Sequence, residues 1–207
     1  MKVCLPHALE FYGENADTDE IIKILFEDKE FYEASGGGIT ISGGECLMQP
    51  EACSVILKRM KNGGINTAVD TCGMVPFENI EKVIDYTDVF LYDIKAIDDS
   101  VHKKCTGSSN KIILQNLKKI DEYGKSIEIR IPFVPDYNDQ EIEKIAYFIS
   151  NLNNIVKIRI LPYHDYAHSK YSAIDMQDTL PCKIPDFESI ENAKKTFLKY
   201  GLLCPVL

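Results

Sequence analysis

Two glycines and a carboxylate follow a short apolar segment early in the sequence. The run Ile39-Thr40-Ile41 is typical of a short buried strand, and it ends in Ser42-Gly43-Gly44-Glu45. Glycines at a strand end leave the backbone open to close approach because they have no Cβ, and Glu45 adds a carboxylate beside them. This combination suits an amino or hydroxyl group. Without a ligand, the same residues would simply form a tight turn between a strand and a helix.

The carboxyl ends of four further predicted strands also carry polar residues. Taken singly, such residues have ordinary structural roles as a helix cap, a local ion pair, an anchor or a turn residue. In a parallel α/β fold, however, ligands bind at the carboxyl edge of the sheet, so these side chains would converge on one pocket. Carboxylates, a lysine, an arginine and a histidine around exposed glycine backbone suit a zwitterionic ligand that carries a sugar or a base. The residues are Asp70, Thr71, Asp93, Lys95, Arg130 and His164.

Strand and helix patterns alternate along the chain and would position these residues. β-branched runs predict strands, and apolar stripes at helical spacing predict helices between them. Asp17 with Glu20, and Asn138 with Glu141, have the spacing of capping boxes at two helix starts. The predicted strands span residues 39–41, 65–71, 89–95, 126–134 and 156–161, and the predicted helices span 18–33, 49–63, 77–86, 111–123 and 138–152, with a last helix from about 185.

The order of these elements predicts the fold class. Strands joined by helices of this length need crossover connections, so the expected class is α/β with a parallel sheet. Right-handed crossovers then either curl the sheet towards a barrel or place helices on both of its faces. Residues 166–187 form a long irregular stretch that we expect to cover one face as a lid or edge loop.

Composition excludes several classes of protein. A chain of 207 residues with 45% hydrophobic content suits one globular domain, and a net charge of −9 with scattered Lys and Arg argues against nucleic-acid binding. No apolar run approaches the roughly 20 residues of a membrane span, and signal-peptide features are absent, so we expect no membrane association and a cytoplasmic protein. Seven cysteines at irregular spacing, without a C-x2-C pair, favour neither a disulfide framework nor a local zinc or iron–sulfur site.

Several motifs, in order and at fitting spacing, resemble those of the glycyl-radical-enzyme activating enzymes. The stretch 37–51 is similar to the family's Gly-Gly-Glu segment, and the resemblance covers about residues 9–201. Cys46 and Cys72 depart from the residues usual in the family, and we interpret both as packing thiols. The other matching motifs are Asp70-Thr71-Cys72-Gly73 for D-T-N-G, Asp93-Ile94-Lys95 for D-x-K, Arg130-Ile131-Pro132-Phe133-Val134-Pro135 for R-x-P-x-x-P and Leu161-Pro162-Tyr163-His164 for L-P-Y-H.

This resemblance implies a radical S-adenosylmethionine oxidoreductase built as a partial (β/α)6 TIM-like barrel. In that family a reduced 4Fe-4S cluster cleaves S-adenosylmethionine, and a 5′-deoxyadenosyl radical takes a hydrogen atom from a glycine of a partner enzyme. The implied partners are a glycyl radical enzyme of the pyruvate formate-lyase type and a reductant such as flavodoxin or ferredoxin. The resemblance assigns Gly43, Gly44 and Glu45 to the methionyl amino group, Lys95 to its carboxylate, Asp93, Ile94, Arg130 and His164 to the rest of the site, and Asp70, Thr71 and Asp93 to a monovalent cation.

The front of the sequence departs from the family. Relatives hold the cluster with C-x3-C-x2-C on the loop after the first strand, and this sequence contains neither that motif nor that strand. The run Cys4-Leu5-Pro6-His7 instead resembles the end of a ferredoxin-like insert, so we interpret residues 1–15 as a remnant of that insert and 1–207 as the C-terminal part of the core domain. We therefore expect an N-terminally truncated chain that is inactive alone and lacks ligands for the cluster.

Two other functions remain open from the sequence. A non-catalytic protein that binds a ligand or partner on the same scaffold would carry the same strand-end motifs. An α/β hydrolase, or an aldolase using Lys95 as a Schiff base, would need a matching base and nucleophile, which do not stand out. The glycyl radical enzyme that would be the partner is not identified by the sequence.

Overall fold

A computed structural model describes residues 15–166, 171, 174–177, 179, 181 and 183–203. Apart from residue 15, the remnant predicted at residues 1–15 lies outside the described residues, and so does part of the lid predicted at 166–187. Among the described residues, no helix combines the length and the apolar character needed to cross a bilayer.

One parallel sheet forms the centre of the fold. Its strand order follows the sequence, and every neighbouring pair of strands is parallel. The predicted α/β class and the five predicted strands are confirmed. The strands are β1 (Gly38–Ile41), β2 (Asn66–Thr71), β3 (Val89–Asp93), β4 (Ser126–Phe133) and β5 (Ile155–Pro162).

Helices connect the strands and follow the last one. Short 3-10 turns at Cys46–Met48 and Asp139–Glu141 precede two of them. Within the described ranges, the α-helices are α1 (Thr18–Glu27), α2 (Lys29–Ser35), α3 (Pro50–Asn62), α4 (Phe77–Ile84), α5 (Asp99–Thr106), α6 (Lys111–Glu122), α7 (Ile142–Ile149) and α8 (Phe187–Lys199).

The strand order decides between the two packings that the sequence left open. When consecutive strands are neighbours, right-handed crossovers all pass over the same face of the sheet, as they do in a barrel. Strand β4 shows the consequence, because Ile127, Ile129 and Ile131 are buried in the hydrophobic core while Glu128 and Arg130 lie half-buried on the other face. The sheet is therefore the partial barrel that the resemblance implied.

The predicted helix over residues 18–33 is wrong as a single element. The structure has α1 and α2 in its place, separated at Asp28, whose φ of −93° and ψ of 11° leave helical geometry. The predicted capping box at Asp17 and Glu20 is wrong about the group that Asp17 bonds. Asp17 does cap α1, but its carboxylate accepts from the N–H of Asp19 at 2.7 Å and not from the N–H of Glu20. The N–H of Asp19 also lies in the first turn, where backbone N–H groups have no partner within the helix.

The second predicted capping box, at Asn138 and Glu141, is also wrong. The Oδ1 of Asn138 accepts from the N–H of Val134 at 2.8 Å, and the Glu141 carboxylate accepts from the N–H groups of Ile97 and Asp98. These backbone groups lie beyond the strand ends, where the sheet offers them no partner, so they compete for the side chains. The short helix α5, which begins after Asp98, was not predicted.

The turn after β2 packs against a buried tyrosine. Gly73 has a φ of +70°, and a Cβ added there would overlap the Oη of Tyr92. Tyr92 is fully buried and donates its hydroxyl to the C=O of Ile113 at 2.7 Å. Asn116 holds the turn from the other side by donating to the C=O of Gly73 at 2.8 Å. Because these contacts hold both Tyr92 and the turn in place, Tyr92 cannot move aside for a side chain at residue 73.

Replacing Gly73 by alanine is expected to destabilise the fold far more than the same change at Gly124. Both residues have a φ of +70°, so each substitution carries the strain of a left-handed residue, about 1–2 kcal/mol. A Cβ at Gly124 meets no atom within 4 Å, whereas overlap with Tyr92 adds about 2 kcal/mol at Gly73. Urea unfolding of the two variants measures the difference, and equal losses of stability would contradict this packing.

Candidate functional site

An arginine joins two strand-end carboxylates at the centre of the site. Arg130 Nε donates to Asp93 Oδ1 at 3.0 Å, and its Nη2 donates to Asp70 Oδ1. The three side chains are only 19–21% exposed. Burial alone would lower the pKa of the guanidinium, but the Asp93 and Asp70 carboxylates more than offset it and raise that pKa. Arg130 therefore stays charged and fixes both carboxylates.

The chain of contacts extends to both sides of this arginine. Ser42, at the end of β1, donates its hydroxyl to Asp70 Oδ2 at 2.9 Å. Lys95, two residues beyond β3, lies with its Nζ 3.4 Å from Asp93 Oδ2, and its side chain is 32% exposed. Polar groups from β1 to β4 thus meet at one edge of the sheet, as the sequence predicted.

The glycine segment after β1 presents open backbone. Gly43 and Gly44 are exposed, and a Cβ built on either one would meet no atom within 4 Å. Gly43 has a φ of +152°, a conformation that residues with side chains rarely adopt. A ligand can therefore approach these peptide groups directly.

Glu45 ties the loop after β1 to the loop after β2. Its carboxylate accepts from the hydroxyl of Thr71 at 2.8 Å, from the N–H of Cys72 at 3.0 Å and from the N–H of Leu47 at 3.2 Å. Several lone pairs of the carboxylate are therefore used inside the protein. The role of Glu45 towards a ligand's amino group stays a prediction.

The predicted cation site coincides with the guanidinium of Arg130. Of its three assigned residues, Asp70 and Asp93 both accept from Arg130, and Thr71 donates its hydroxyl to Glu45 instead. Within the described part of the chain, no group of three or more His, Cys, Asp or Glu side chains is arranged to hold a metal ion. The assignment to a monovalent cation stays a prediction.

Three cysteine thiols form hydrogen bonds within the protein next to the strand-end residues. Cys46 Sγ donates to the C=O of Asp70 at 3.3 Å, and Cys53 Sγ donates to the C=O of Cys46 at 3.2 Å. A hydrogen bond with Cys53, together with burial, raises the pKa of the Cys46 thiol. Burial also raises the pKa of the Cys72 thiol, which donates to Glu45 Oε2 at 3.2 Å. The hydrogen bonds and the raised pKa values agree with the interpretation of Cys46 and Cys72 as packing thiols.

The remaining predicted residues differ in exposure. Ile94 is buried, and its N–H donates to the C=O of Arg130 at 2.9 Å, so its side chain belongs to the core. His164 follows the end of β5, is exposed and contacts Tyr166, with 4.4 Å between ring centroids and the two rings tilted by 33°. The structure thus places His164 at the same edge but gives no contact between it and the arginine cluster.

Two cavities bear on where a ligand fits. A cavity of about 440 Å³ adjoins Lys95 and is lined in part by Pro132, Tyr137 and Tyr163. A larger groove of about 930 Å³ lies between α6 and α7, around Tyr147, on the helical layer. The first adjoins the charged cluster, whereas the second is separate from the strand-end residues.

Sequence reasoning missed several of the partners that build this site. Ser42 was included in the polar segment at the end of the first strand but without a partner, and the N–H of Cys72 carries no sequence signal at all. The spacing of Asn138 and Glu141 indicated a cap, although Asn138 bonds the C=O of Lys95 and Glu141 bonds the N–H groups of Ile97 and Asp98. Only the meeting of β3 and β4 in space reveals these contacts.

Replacing Arg130 by methionine is expected to lower the free energy of unfolding by about 2 kcal/mol, because two half-buried carboxylates lose their shared cation. Arg159→Met is the matched control on β5. Arg159 forms an ion pair with one carboxylate, that of Glu128, so its loss leaves one carboxylate without a cation instead of two and should cost about 1 kcal/mol. Guanidinium unfolding compares the two variants. An equal or smaller loss at Arg130 would contradict its bridging role.

Comparisons with known proteins agree with this geometry. The family model of the Radical SAM superfamily matches residues 4–149. The chain is 39% identical to a trans-4-hydroxy-L-proline dehydratase activating enzyme of Clostridioides difficile, over 92% of this chain and 65% of that protein. It is 36% identical to a pyruvate formate-lyase-activating enzyme of Clostridium pasteurianum, over 90% of this chain and 77% of that protein. The chain thus spans about two thirds to three quarters of these two relatives.

A solved structure gives the same result. A domain of pyruvate-formate lyase-activating enzyme from Bacteroides vulgatus ATCC 8482 superposes with a TM-score of 0.69 at 31% identity, covering 83% of this chain and 99% of that one. Together with the parallel strands and the Gly-Gly-Glu, D-x-K and arginine residues at their ends, these matches establish the family. The chain belongs to the radical S-adenosylmethionine superfamily, among the activating enzymes of glycyl radical enzymes.

Proposed function

We propose that these residues form the S-adenosylmethionine-binding part of an enzyme that generates a glycyl radical on a partner protein. One observation carries the proposal: open glycine backbone, a lysine and paired carboxylates lie at one sheet edge in a member of this family. A zwitterionic methionyl group needs donors and acceptors of both kinds, and this edge has both.

The proposed contacts are those that the resemblance to the family implies, and the chemistry of the edge is compatible with them. The backbone of Gly43 and Gly44, with Glu45, receives the methionyl amino group, since both glycines are exposed and the carboxylate follows them directly. The ammonium of Lys95 receives the methionyl carboxylate. The adenosine part lies along Asp93 and along His164, whose exposed imidazole offers a hydrogen-bonding surface. Ile94, whose side chain is buried in the core, takes part only through the segment that it forms between Asp93 and Lys95. Arg130 and Asp70 act indirectly, because Arg130 bonds both carboxylates and so holds Asp93 in place.

The 4Fe-4S cluster of the family does not fit the described residues of this chain. The sequence has no C-x3-C-x2-C motif, and the thiols of Cys46, Cys53 and Cys72 are engaged in internal hydrogen bonds. We therefore assign no residue of this sequence to the cluster and derive no reaction step through it. The proposal includes the interpretation of residues 1–15 as the end of a ferredoxin-like insert.

The partner in this proposal is a glycyl radical enzyme, since the chain belongs to the family that activates such enzymes and each relative is named as the activating enzyme of another enzyme. Those names cover trans-4-hydroxy-L-proline dehydratase, choline trimethylamine-lyase and pyruvate formate-lyase, so they do not select one partner. A flavodoxin or ferredoxin would supply the electron, and the cytoplasm is the proposed location.

A second candidate function is non-catalytic binding on the same scaffold. The absence of a cluster motif from the sequence favours it, because the family's chemistry requires that cluster. The two candidates share the ligand site and differ in whether S-adenosylmethionine is consumed.

Calorimetric titration of the chain with S-adenosylmethionine tests the shared site. We expect a dissociation constant weaker than about 10 μM, because exposed charge-assisted hydrogen bonds give about 1 kcal/mol each and ordering costs offset part of that. Lys95→Ala should weaken binding by about fivefold to tenfold, the equivalent of one such contact.

Lys103→Ala is the matched control, since Lys103 is an exposed lysine paired with Asp99 on α5. It should leave the affinity unchanged. No heat of binding at millimolar S-adenosylmethionine, or an affinity that Lys95→Ala does not reduce, would overturn the proposed site. A micromolar affinity abolished by Lys95→Ala would show that the chain's own edge is already a complete site.

A further inference from the structure

The segment that carries Lys95 lies beyond the hydrogen-bond ladder of the sheet. Strand β3 ends at Asp93, and the last backbone bond to β4 joins the N–H of Ile94 to the C=O of Arg130. From Lys95 onward the chain turns away to reach α5. Its peptide groups must find partners elsewhere, because buried backbone polar groups are almost always hydrogen-bonded.

Asn138 provides the partner for the backbone of Lys95 itself. Its Nδ2 donates to the C=O of Lys95 at 2.8 Å and to the C=O of Pro132 at 2.6 Å, while its Oδ1 accepts from the N–H of Val134 at 2.8 Å. The residue is 3% exposed. One buried amide thus joins the chain beyond β3 to the end of β4, with its donors and its acceptor all engaged.

Two further buried side chains hold the next three residues. Asn110 Nδ2 donates to the C=O groups of Ala96 and Ile97 at 2.9 and 2.8 Å. Glu141 Oε2 accepts from the N–H groups of Ile97 and Asp98 at 3.0 and 2.7 Å. Both side chains are buried, at 2% and 1% exposure. We call Asn110, Asn138 and Glu141 the clamp.

The clamp comes from three separate places in the fold. Asn110 precedes α6, Asn138 lies in the turn after β4, and Glu141 ends the 3-10 turn before α7. The negative charge of Glu141 is balanced locally, since Lys144 Nζ donates to Glu141 Oε1 at 2.7 Å. Residues 95–98 are therefore held from several sides by elements that the core fixes.

This arrangement has a direct consequence for the lysine side chain. A lysine has four rotatable bonds, so the position of its ammonium depends on how firmly its backbone is held. Here the ammonium lies 3.4 Å from Asp93 Oδ2 while the side chain remains 32% exposed. A single ion pair of this kind is too weak to fix so long a side chain alone.

We propose that Asn138 is the positioning residue of Lys95, and that the clamp fixes the Lys95 ammonium at the ligand-binding edge of the sheet. This role rests on the proposed function, in which Lys95 receives the ligand's carboxylate. Asn138 itself does not touch the ligand. It sets the point from which the lysine reaches the site, and Asn110 and Glu141 keep the following chain from shifting.

Acetylation of lysines with a limiting amine-reactive ester, quantified by peptide mass spectrometry, tests this role without any ligand. In Asn138→Ala the rate at Lys95 should rise about threefold to tenfold relative to Lys103, the change in a local equilibrium expected when one hydrogen bond between uncharged groups is lost. Asn138→Asp keeps the shape but loses both donors, so it should act in the same direction.

Asp121→Asn is the matched control. Asp121 lies near the end of α6 and is also buried, and its carboxylate accepts from the N–H groups of Asn153 and Asn154, which precede β5. Its loss should lower the melting temperature but leave the ratio of Lys95 to Lys103 acetylation unchanged. Should Asn138→Ala fail to fold, Asn110→Ala replaces it, because it releases the two carbonyls that follow Lys95.

Two results would overturn the proposal. One is an unchanged acetylation ratio in the folded Asn138 or Asn110 variants. The other is an equal rise in Asp121→Asn, which would mean that general loosening exposes Lys95. Because no ligand is added, a failure of S-adenosylmethionine to bind would count against the proposed function and would leave this result intact.

Discussion

The order of the strands is the constraint on which the rest of this structure depends. Because β1 to β5 are neighbours in sequence order and all run parallel, the right-handed crossovers cover one face of the sheet. Alternate side chains then separate into an apolar set in the core and a polar set on the open face, as Ile129 and Arg130 show. The same order brings every carboxyl end to one edge, where residues distant in sequence meet.

Ionic and hydrogen bonds join the strand ends where the backbone ladder stops. Ser42, Asp70, Arg130, Asp93 and Lys95 form one continuous series of contacts across four strands. Each member limits the freedom of the next, so the exposed groups at this edge are supported by groups that are more deeply buried. The clamp around residues 95–98 extends this principle to the backbone, since its three side chains hold peptide groups that the sheet leaves unpaired.

The sequence predicted the elements better than the contacts between them. The five strands were predicted to within two residues of their ends, because β-branched runs bounded by glycine or polar residues are local signals. The meeting of Asp70 with Arg130 followed from a general rule about parallel sheets, and it held. The exact partners did not follow, because they depend on side-chain positions across different elements.

Asn138 and Glu141 illustrate this limit. Their spacing fits a capping box as well as it fits the contacts that the structure has, and only the presence of unpaired peptide groups beside them decides between the two. Glu45 is a similar case, since its carboxylate serves the loop of Thr71 and Cys72 within the protein. Competition for unpaired backbone groups is a property of the folded chain and has no local sequence signal.

The proposed ligand site is the carboxyl edge of the sheet. Chemical-shift mapping of the isotope-labelled chain during titration with S-adenosylmethionine tests this placement. Binding at this edge predicts the largest amide shifts at Gly43, Gly44 and residues 93–95, with none around Tyr147 in the groove between α6 and α7. Shifts concentrated in that groove, or an absence of saturable shifts at the glycine and lysine segments, would contradict it.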